Sequence, residues 1–307
     1  MAPRVVCVGA VTLDAIALVD RFPRPDERQV AREVRYAGGG PAATAAVAAT
    51  RLGVPTAFVG AVGDDAEGEQ ILAMLRDEGV DISGVQVRAG ERSGASIVIV
   101  DAVRGTRAIC TRPVPHPVIP PGGPVADLVA GASWLHADHL GWPAVQQWVS
   151  TATGPSRPRV SVDGGNPIPG FSPAGVDLYA PTVEALARRY GDLPVDDLFA
   201  AAIREGARTV VATRGAAGSV AATCDGKRLA APGHDVAVLS TLGAGDVFHG
   251  ALLAAVVHGM PLQDCLRYAN VAAALSCRGL DGRSAIPTHD EVLAAGAALS
   301  LTRSEEI

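Results

Sequence analysis

The stretch Ser240-Thr241-Leu242-Gly243-Ala244-Gly245-Asp246-Val247-Phe248-His249-Gly250 brings together the two things that phosphoryl transfer requires. Small residues at Gly243, Ala244 and Gly245 let backbone N–H groups converge at the start of a helix, an anion hole for the equatorial oxygens. The Asp246 carboxylate beside them can take the proton of the attacking hydroxyl. The same residues also fit a plainer role, an aspartate capping its own helix in a glycine turn. A second stretch, Tyr36-Ala37-Gly38-Gly39-Gly40-Pro41-Ala42-Ala43-Thr44, opens a helix whose first turn suits Pro41, and its bare backbone lets an oxygen-rich ligand come close. It reads as a tight structural turn or as a ligand loop, and one alternative is an oxidoreductase that binds a dinucleotide on Gly38 to Ala43. Asp14 is a third candidate, an acid just past the carboxyl end of the buried run Val5 to Val11, where doubly wound sheets place ligands.

The elements that must hold these residues are those of an α/β fold. Val5 to Val11, Thr56 to Val62, Ser133 to His136, Arg159 to Asp163 and Arg208 to Thr213 are short apolar runs of the kind buried on both faces of a parallel sheet. Helical patterns separate most of them, which predicts a doubly wound sheet. Gln29 to Tyr36, Ser93 to Asp101 and Thr106 to Cys110 are strand-like without helices between them. They predict a small antiparallel sheet inserted into one domain spanning residues 1–307, a lid built from segments near 20–36 and 86–112. From Ala244 onward the pattern is helical. His136-Ala137-Asp138-His139 and Asp163-Gly164-Gly165-Asn166 each follow a strand, and both read as polar turns or as groups facing the cleft.

Composition excludes several classes. The 307 residues carry a net charge of −6, so no basic surface awaits a nucleic acid. All but one of the 26 basic residues are arginine, and the single lysine, Lys227, sits in the turn-like Cys224-Asp225-Gly226-Lys227-Arg228. A P-loop nucleotidase or a protein kinase needs a lysine inside its motif, and both are therefore excluded. The five cysteines are widely spaced without a C-x-x-C pair, which predicts reduced thiols and a cytoplasmic location. No signal peptide is predicted, and Val247 to Gln263 is too short and too interrupted to span a membrane.

Gly38 to Gly63, the Gly243-Ala244-Gly245-Asp246 turn, Thr213-Arg214-Gly215-Ala216-Ala217-Gly218 and the tail Cys277-Arg278-Gly279-Leu280-Asp281-Gly282-Arg283-Ser284-Ala285-Ile286-Pro287 together resemble the ribokinase family, the PfkB-type carbohydrate and nucleoside kinases. The likeness runs over essentially the whole chain, and its motifs look closest to sulfofructose kinase and related sugar kinases. The resemblance implies a three-layer α/β/α fold with a mostly parallel sheet and a β lid. It implies transfer of the γ-phosphate of ATP to a primary hydroxyl of a sugar, with a nucleoside as the alternative acceptor. Asp246 takes the position of the base, and Gly243, Ala244 and Gly245 that of the anion hole. Asp14, Gly39 and Gly40 fall where substrate hydroxyls are held. Thr213, Gly215, Ala216, Gly218 and Asn270 fall where the nucleotide is held, although Asn270 also suits a packing or capping role.

The sequence departs from the family in places. Pro181 stands where many relatives have an asparagine in the segment Pro181-Thr182-Val183-Glu184, leaving Glu184 to act on Mg²⁺ through water. Thr44 stands at a substrate-reading position that is often asparagine. Ser240 replaces an aspartate that helps relatives to bind potassium, so monovalent-cation binding is expected to be weak or absent. Arg28, Arg107 and Arg112 lie on or near the expected lid, where they suit either solvation or a phosphate or sulfonate on the substrate. The resemblance also implies a homodimer through the lid edge.

Overall fold

The computed structural model describes residues 4–151 and 157–302. The chain begins with β1 (Val5–Val8), β2 (Thr12–Val19), β3 (Glu33–Gly39), α1 (Pro41–Arg51), β4 (Thr56–Val59), β5 (Ala61–Gly63), α2 (Ala66–Asp77), β6 (Gln86–Arg88), β7 (Ala95–Asp101) and β8 (Thr106–Arg112). It continues through α3 (Pro124–Ala130), β9 (Trp134–Ala137), α4 (Trp142–Thr151), β10 (Arg159–Asp163), β11 (Leu178–Ala180), α5 (Val183–Tyr190), α6 (Val195–Arg204), β12 (Thr209–Thr213), β13 (Ser219–Thr223) and β14 (Arg228–Ala231). Three helices close it: α7 (Ala244–Val257), α8 (Leu262–Ser276) and α9 (His289–Thr302).

The large sheet runs β14-β13-β12-β11-β10-β9-β1-β4. Its pairs from β12 to β4 are parallel, and the β12-β13-β14 end is antiparallel. Alternation along β1 divides the core. Val5 and Cys7 pack on the side of α1, α7 and α8, while Val6 and Val8 face the layer containing α4 and α6. Small residues let the first layer close tightly. Ala42 to Ala49 of α1 are all buried, and a Cβ on Gly250 of α7 would lie 2.3 Å from the Ala45 carbonyl oxygen.

A second sheet, β3-β2-β7-β8, stands over the carboxyl edge of the first. It corrects the expected lid in two ways. The segment 20–32 holds no strand, and β2 takes its place, because Gly9, at a φ of 155°, breaks the long apolar run Val5 to Val11. Residues 86–88 pair with β5 and not with this sheet. The sheet is also mixed, since β2 and β7 are parallel. Its inner face carries a small core of Ile16, Leu18, Ala37, Val98 and Val100, against which Leu280 packs.

Candidate active site

A cleft of about 630 Å³ separates the two sheets, and Asp14, Gly39, Gly40, Thr44, Gly243, Gly245 and Asp246 all line it. Asp14 lies within β2, two residues into the strand, and not at the end of a core strand as the sequence suggested. Its carboxylate accepts a 2.7 Å hydrogen bond from the Thr12 hydroxyl. Burial lifts its pKa, against the pull of Thr12, Ser96 and Arg283. Gly39 leaves room for this carboxylate, because a Cβ on it would lie 2.1 Å from Asp14 Oδ2 and displace it.

Behind this wall lies a residue the sequence reading passed over. Arg283 is buried and donates from Nη2 to the Gly39 carbonyl at 2.8 Å and from Nε to Thr44 Oγ1 at 3.2 Å. Burial brings its pKa down to about 10. A Cβ on Gly38 would strike its Nη1 at 2.2 Å, so the glycine run makes room for a cation as well as for a ligand. Its one sequence signal is a lone charged side chain between Gly282 and Ser284. Asp138 was also missed as an organiser. It accepts from the N–H groups of Ala10, Ala42, Leu140 and Gly141, tying the turn after β1 to the start of α1.

At the opposite side, Gly243 takes the left-handed conformation, with φ 74°, and caps α7. A Cβ there would lie 2.7 Å from Gly282 Cα. Ala244, Gly245 and Asp246 form the first turn; the Ala244 N–H makes a long 3.4 Å bond to the Thr241 carbonyl, while those of Gly245 and Asp246 precede the intrahelical ladder. A Cβ on Gly245 meets nothing within 4 Å, leaving open room at the helix start. Ser240 is buried; its hydroxyl accepts from the Leu242 N–H at 3.2 Å, and its own N–H donates to the Cys277 carbonyl at 3.2 Å.

Asp246 is half-buried, and burial together with the Asp163 carboxylate pushes its pKa up to about 7. One turn along α7, His249 Nε2 lies 3.1 Å from Asp163 Oδ1. Burial opposes both charges, yet each partner outweighs it for the other: Asp163 is held below the usual carboxylate range and His249 above its ordinary value. His136, 5.4 Å from the His249 ring, is pushed down to about 3 by burial and by that neighbour, and is neutral.

The third group stands at the same edge of the large sheet. Thr213 ends β12, Gly215–Ala217 form one 3-10 turn, and Gly218, with φ 89°, returns the chain to β13. A Cβ on Gly218 would meet the Ala231 carbonyl oxygen at 2.2 Å. Asn270 holds that backbone, donating from Nδ2 to the carbonyls of Ala231 at 3.1 Å and Pro232 at 2.9 Å. Its amide hydrogens are committed to packing, the second of the roles open to it. Two expected site residues stand apart. Glu184 is exposed on α5, which turns Ala185 inward in its place, and Arg28 is exposed on the 20–32 loop; neither lines the cleft. Arg112 does, as does Arg107.

Known proteins decide the family. The pattern of the pfkB family carbohydrate kinases matches residues 2–114 and 173–289, most of the chain. The chain belongs to the pfkB carbohydrate kinase family. Over 292 residues, 95% of this chain and 97% of the relative, it is 29% identical to the ATP-dependent ribose-1-phosphate kinase of Halopiger xanaduensis. It is 25% identical to the ketohexokinase of Mus musculus, over 91% of this chain and 98% of that protein. The structure of Arabidopsis thaliana ribokinase complexed with ribose and ATP superposes with a TM-score of 0.83 at 26% identity, covering 96% of this chain and 99% of that one. The fold is ribokinase-like, and the chain is an ATP-dependent carbohydrate kinase. A dinucleotide loop finds no place in it, because Gly38 and Gly39 end a strand of the second sheet. Among the described residues no helix is long and apolar enough to cross a membrane.

Proposed function

We propose that this kinase moves the γ-phosphoryl group of ATP to a primary hydroxyl of a sugar or sugar derivative bound between Asp14 and Asp246. The observation that carries the reading is Asp246 itself, a carboxylate with its pKa pushed up to about 7 at the first turn of α7, next to the Gly245 N–H and the open space around Gly245. It accepts the hydroxyl proton as the hydroxyl oxygen attacks, and the Gly243 to Gly245 turn holds the charge on the transferring oxygens. Asp14, Gly39, Gly40 and Thr44 hold the sugar hydroxyls. The Thr213 to Gly218 turn, with its exposed Gly215, receives the nucleotide, and Asn270 keeps its floor in place. Among the described residues no group of three or more His, Cys, Asp and Glu is placed to hold a metal. Mg²⁺, which neutralises the β- and γ-oxygens, therefore fits as an ion held by the phosphates and water. Glu184, being exposed, is a poor candidate to help it.

A sugar is favoured over a nucleoside because, among the described residues, the cleft lining contains no Phe, Tyr or Trp on which a base could stack. Two copies are proposed to meet through the outer face of the second sheet. Tyr36, Val34 and Ile97 are 64%, 65% and 60% exposed there, an apolar surface that a second copy would cover. The test of the proposal is ADP release over a panel of sugars, sugar phosphates and nucleosides. Turnover of nucleosides alone would overturn the sugar reading.

A further inference from the structure

Among the described residues Arg283 is the one buried arginine, and it makes no close ion pair there. Taking a guanidinium out of water is unfavourable unless its donors and its charge are both used. The donors go to one wall of the cleft. Nη2 bonds the Gly39 carbonyl and Nε the Thr44 hydroxyl, and Gly39 is the residue whose missing Cβ makes room for the Asp14 carboxylate. The charge reaches both carboxylates that line the cleft, drawing the pKa of Asp14 and of Asp246 down against the burial that lifts them. Asp14, Glu78, Asp246 and Asp281 in turn resist the effect of burial on Arg283, which at about 10 stays charged at neutral pH.

The loop that carries Arg283 is pinned on three sides. Asp281 accepts from the N–H groups of Arg283 and Ser284 at 2.8 and 2.7 Å, and from Arg35 Nη1 of β3 at 2.9 Å. Arg51 of α1 donates from Nη1 to the carbonyls of Arg283 and Ile286 at 2.9 and 3.2 Å, while Glu78 holds its Nε and Nη2 at 2.6 Å each. Leu280 enters the small core of the second sheet. Gly282 packs on Gly243, the cap of α7. One short loop therefore touches the second sheet, α1 and the start of α7, the elements that carry Asp14, Thr44 and Asp246.

We infer that Arg283 is a positioning residue for the transfer, a guanidinium built in behind the cleft that holds the Asp14 wall and the Gly243 turn at one spacing and gives both carboxylates a permanent counter-charge. This rests on the kinase reading above. Arg283 acts through its neighbours, since Gly38, Gly39, Thr44 and Gly282 line the cleft and Arg283 does not.

The test uses Arg283→Met, Arg283→Lys and Gly38→Ala in the full chain. The readout is steady-state ADP release, with whichever of ribose, fructose and their phosphate esters is turned over fastest as acceptor. Arg283→Met keeps the stem and removes the charge. Asp163, Asp138 and His249 then remain facing Asp246, its pKa rises, and the acid limb of log kcat/KM should move alkaline by about half a unit. The acceptor KM should rise about tenfold, with the ATP KM changed by less than about threefold. Arg283→Lys returns the charge without the planar fork, so the limb should sit at the wild-type position while the acceptor KM stays raised. Gly38→Ala drives a methyl to 2.2 Å from Nη1 and should raise the acceptor KM with the limb unmoved. A residue that only filled space would lower thermal stability without separating the limb from the two KM values. A folded Arg283→Met with a wild-type limb and acceptor KM would overturn the inference. If that variant does not fold, a wild-type acceptor KM in both Arg283→Lys and Gly38→Ala would overturn it. A wild-type protein that ATP does not stabilise against heat and that releases no ADP with any acceptor would overturn the kinase reading, and this inference with it.

Discussion

His249 Nε2 lies 3.1 Å from Asp163 Oδ1, one turn of α7 beyond Asp246, and both partners of this pair are almost wholly buried. The pair lies behind the proposed base, Asp163 held below the usual carboxylate range and His249 raised above its ordinary value by its partner. Burial first, and then the Asp163 carboxylate, raise the pKa of Asp246, and His249 opposes that rise.

The first prediction is a pH profile. A base at about 7 is protonated and idle below that pH, so log kcat/KM should climb with unit slope and level off above pH 7. His249→Asn removes the cation and leaves Asp163 uncompensated, so the acid limb should move alkaline by roughly one unit. Stripping one partner from a buried pair should also cost about 3 kcal/mol in urea unfolding. A limb unmoved in a folded His249→Asn variant would detach the pair from Asp246.

Gly39→Ala tests the sugar side. The added methyl needs the space of Asp14 Oδ2 and of Thr12 Oγ1, 2.1 and 2.6 Å from its ideal position. KM for the sugar should rise ~10-fold or more, the value of a displaced charged hydrogen bond, with the KM for ATP little changed. A raised ATP KM with an unchanged sugar KM would move Asp14 to the nucleotide half of the cleft.

Much of the scaffold was legible because its signals are local. The buried runs of β1, β10 and β12 are continuous and β-branched, and the glycines before α7 announce a helix start. What escaped depends on partners distant in sequence. Thr12 to Val19 alternates like any strand, and nothing local says that Gly9 sends it into a second sheet. Arg283 stands 239 residues from Thr44, and the Asp163 to His249 pair joins two elements that only the fold brings together. That Glu184 points away from the cleft was hidden for a similar reason. One position along a helix is about 100° of rotation, and only the packing of Ala185 shows which face points inward.

Ser240 predicts weak dependence on potassium. Its hydroxyl is neutral and is occupied with the Leu242 N–H, so the turn before Gly243 is held by a protein hydrogen bond. Initial rates should change less than about twofold with potassium at constant ionic strength, and Ser240→Asp should create a saturable activation. A steep requirement in the wild-type protein would show that backbone carbonyls suffice for the ion.

Tyr36→Glu addresses assembly. A charge on this apolar face should convert a dimer to a monomer in sedimentation at micromolar concentration, with the fold retained. Wild-type protein that sediments as a monomer would remove the proposed interface.

The most direct measurement is the turnover of Asp246→Asn against wild type under saturating ATP and acceptor. The amide keeps the shape of the side chain and the N–H groups of the turn but cannot take the hydroxyl proton. kcat should fall by roughly two orders of magnitude or more, with ATP still stabilising the protein against heat. A variant that turns over within a few-fold of wild type would contradict the account and take Asp246 out of the reaction.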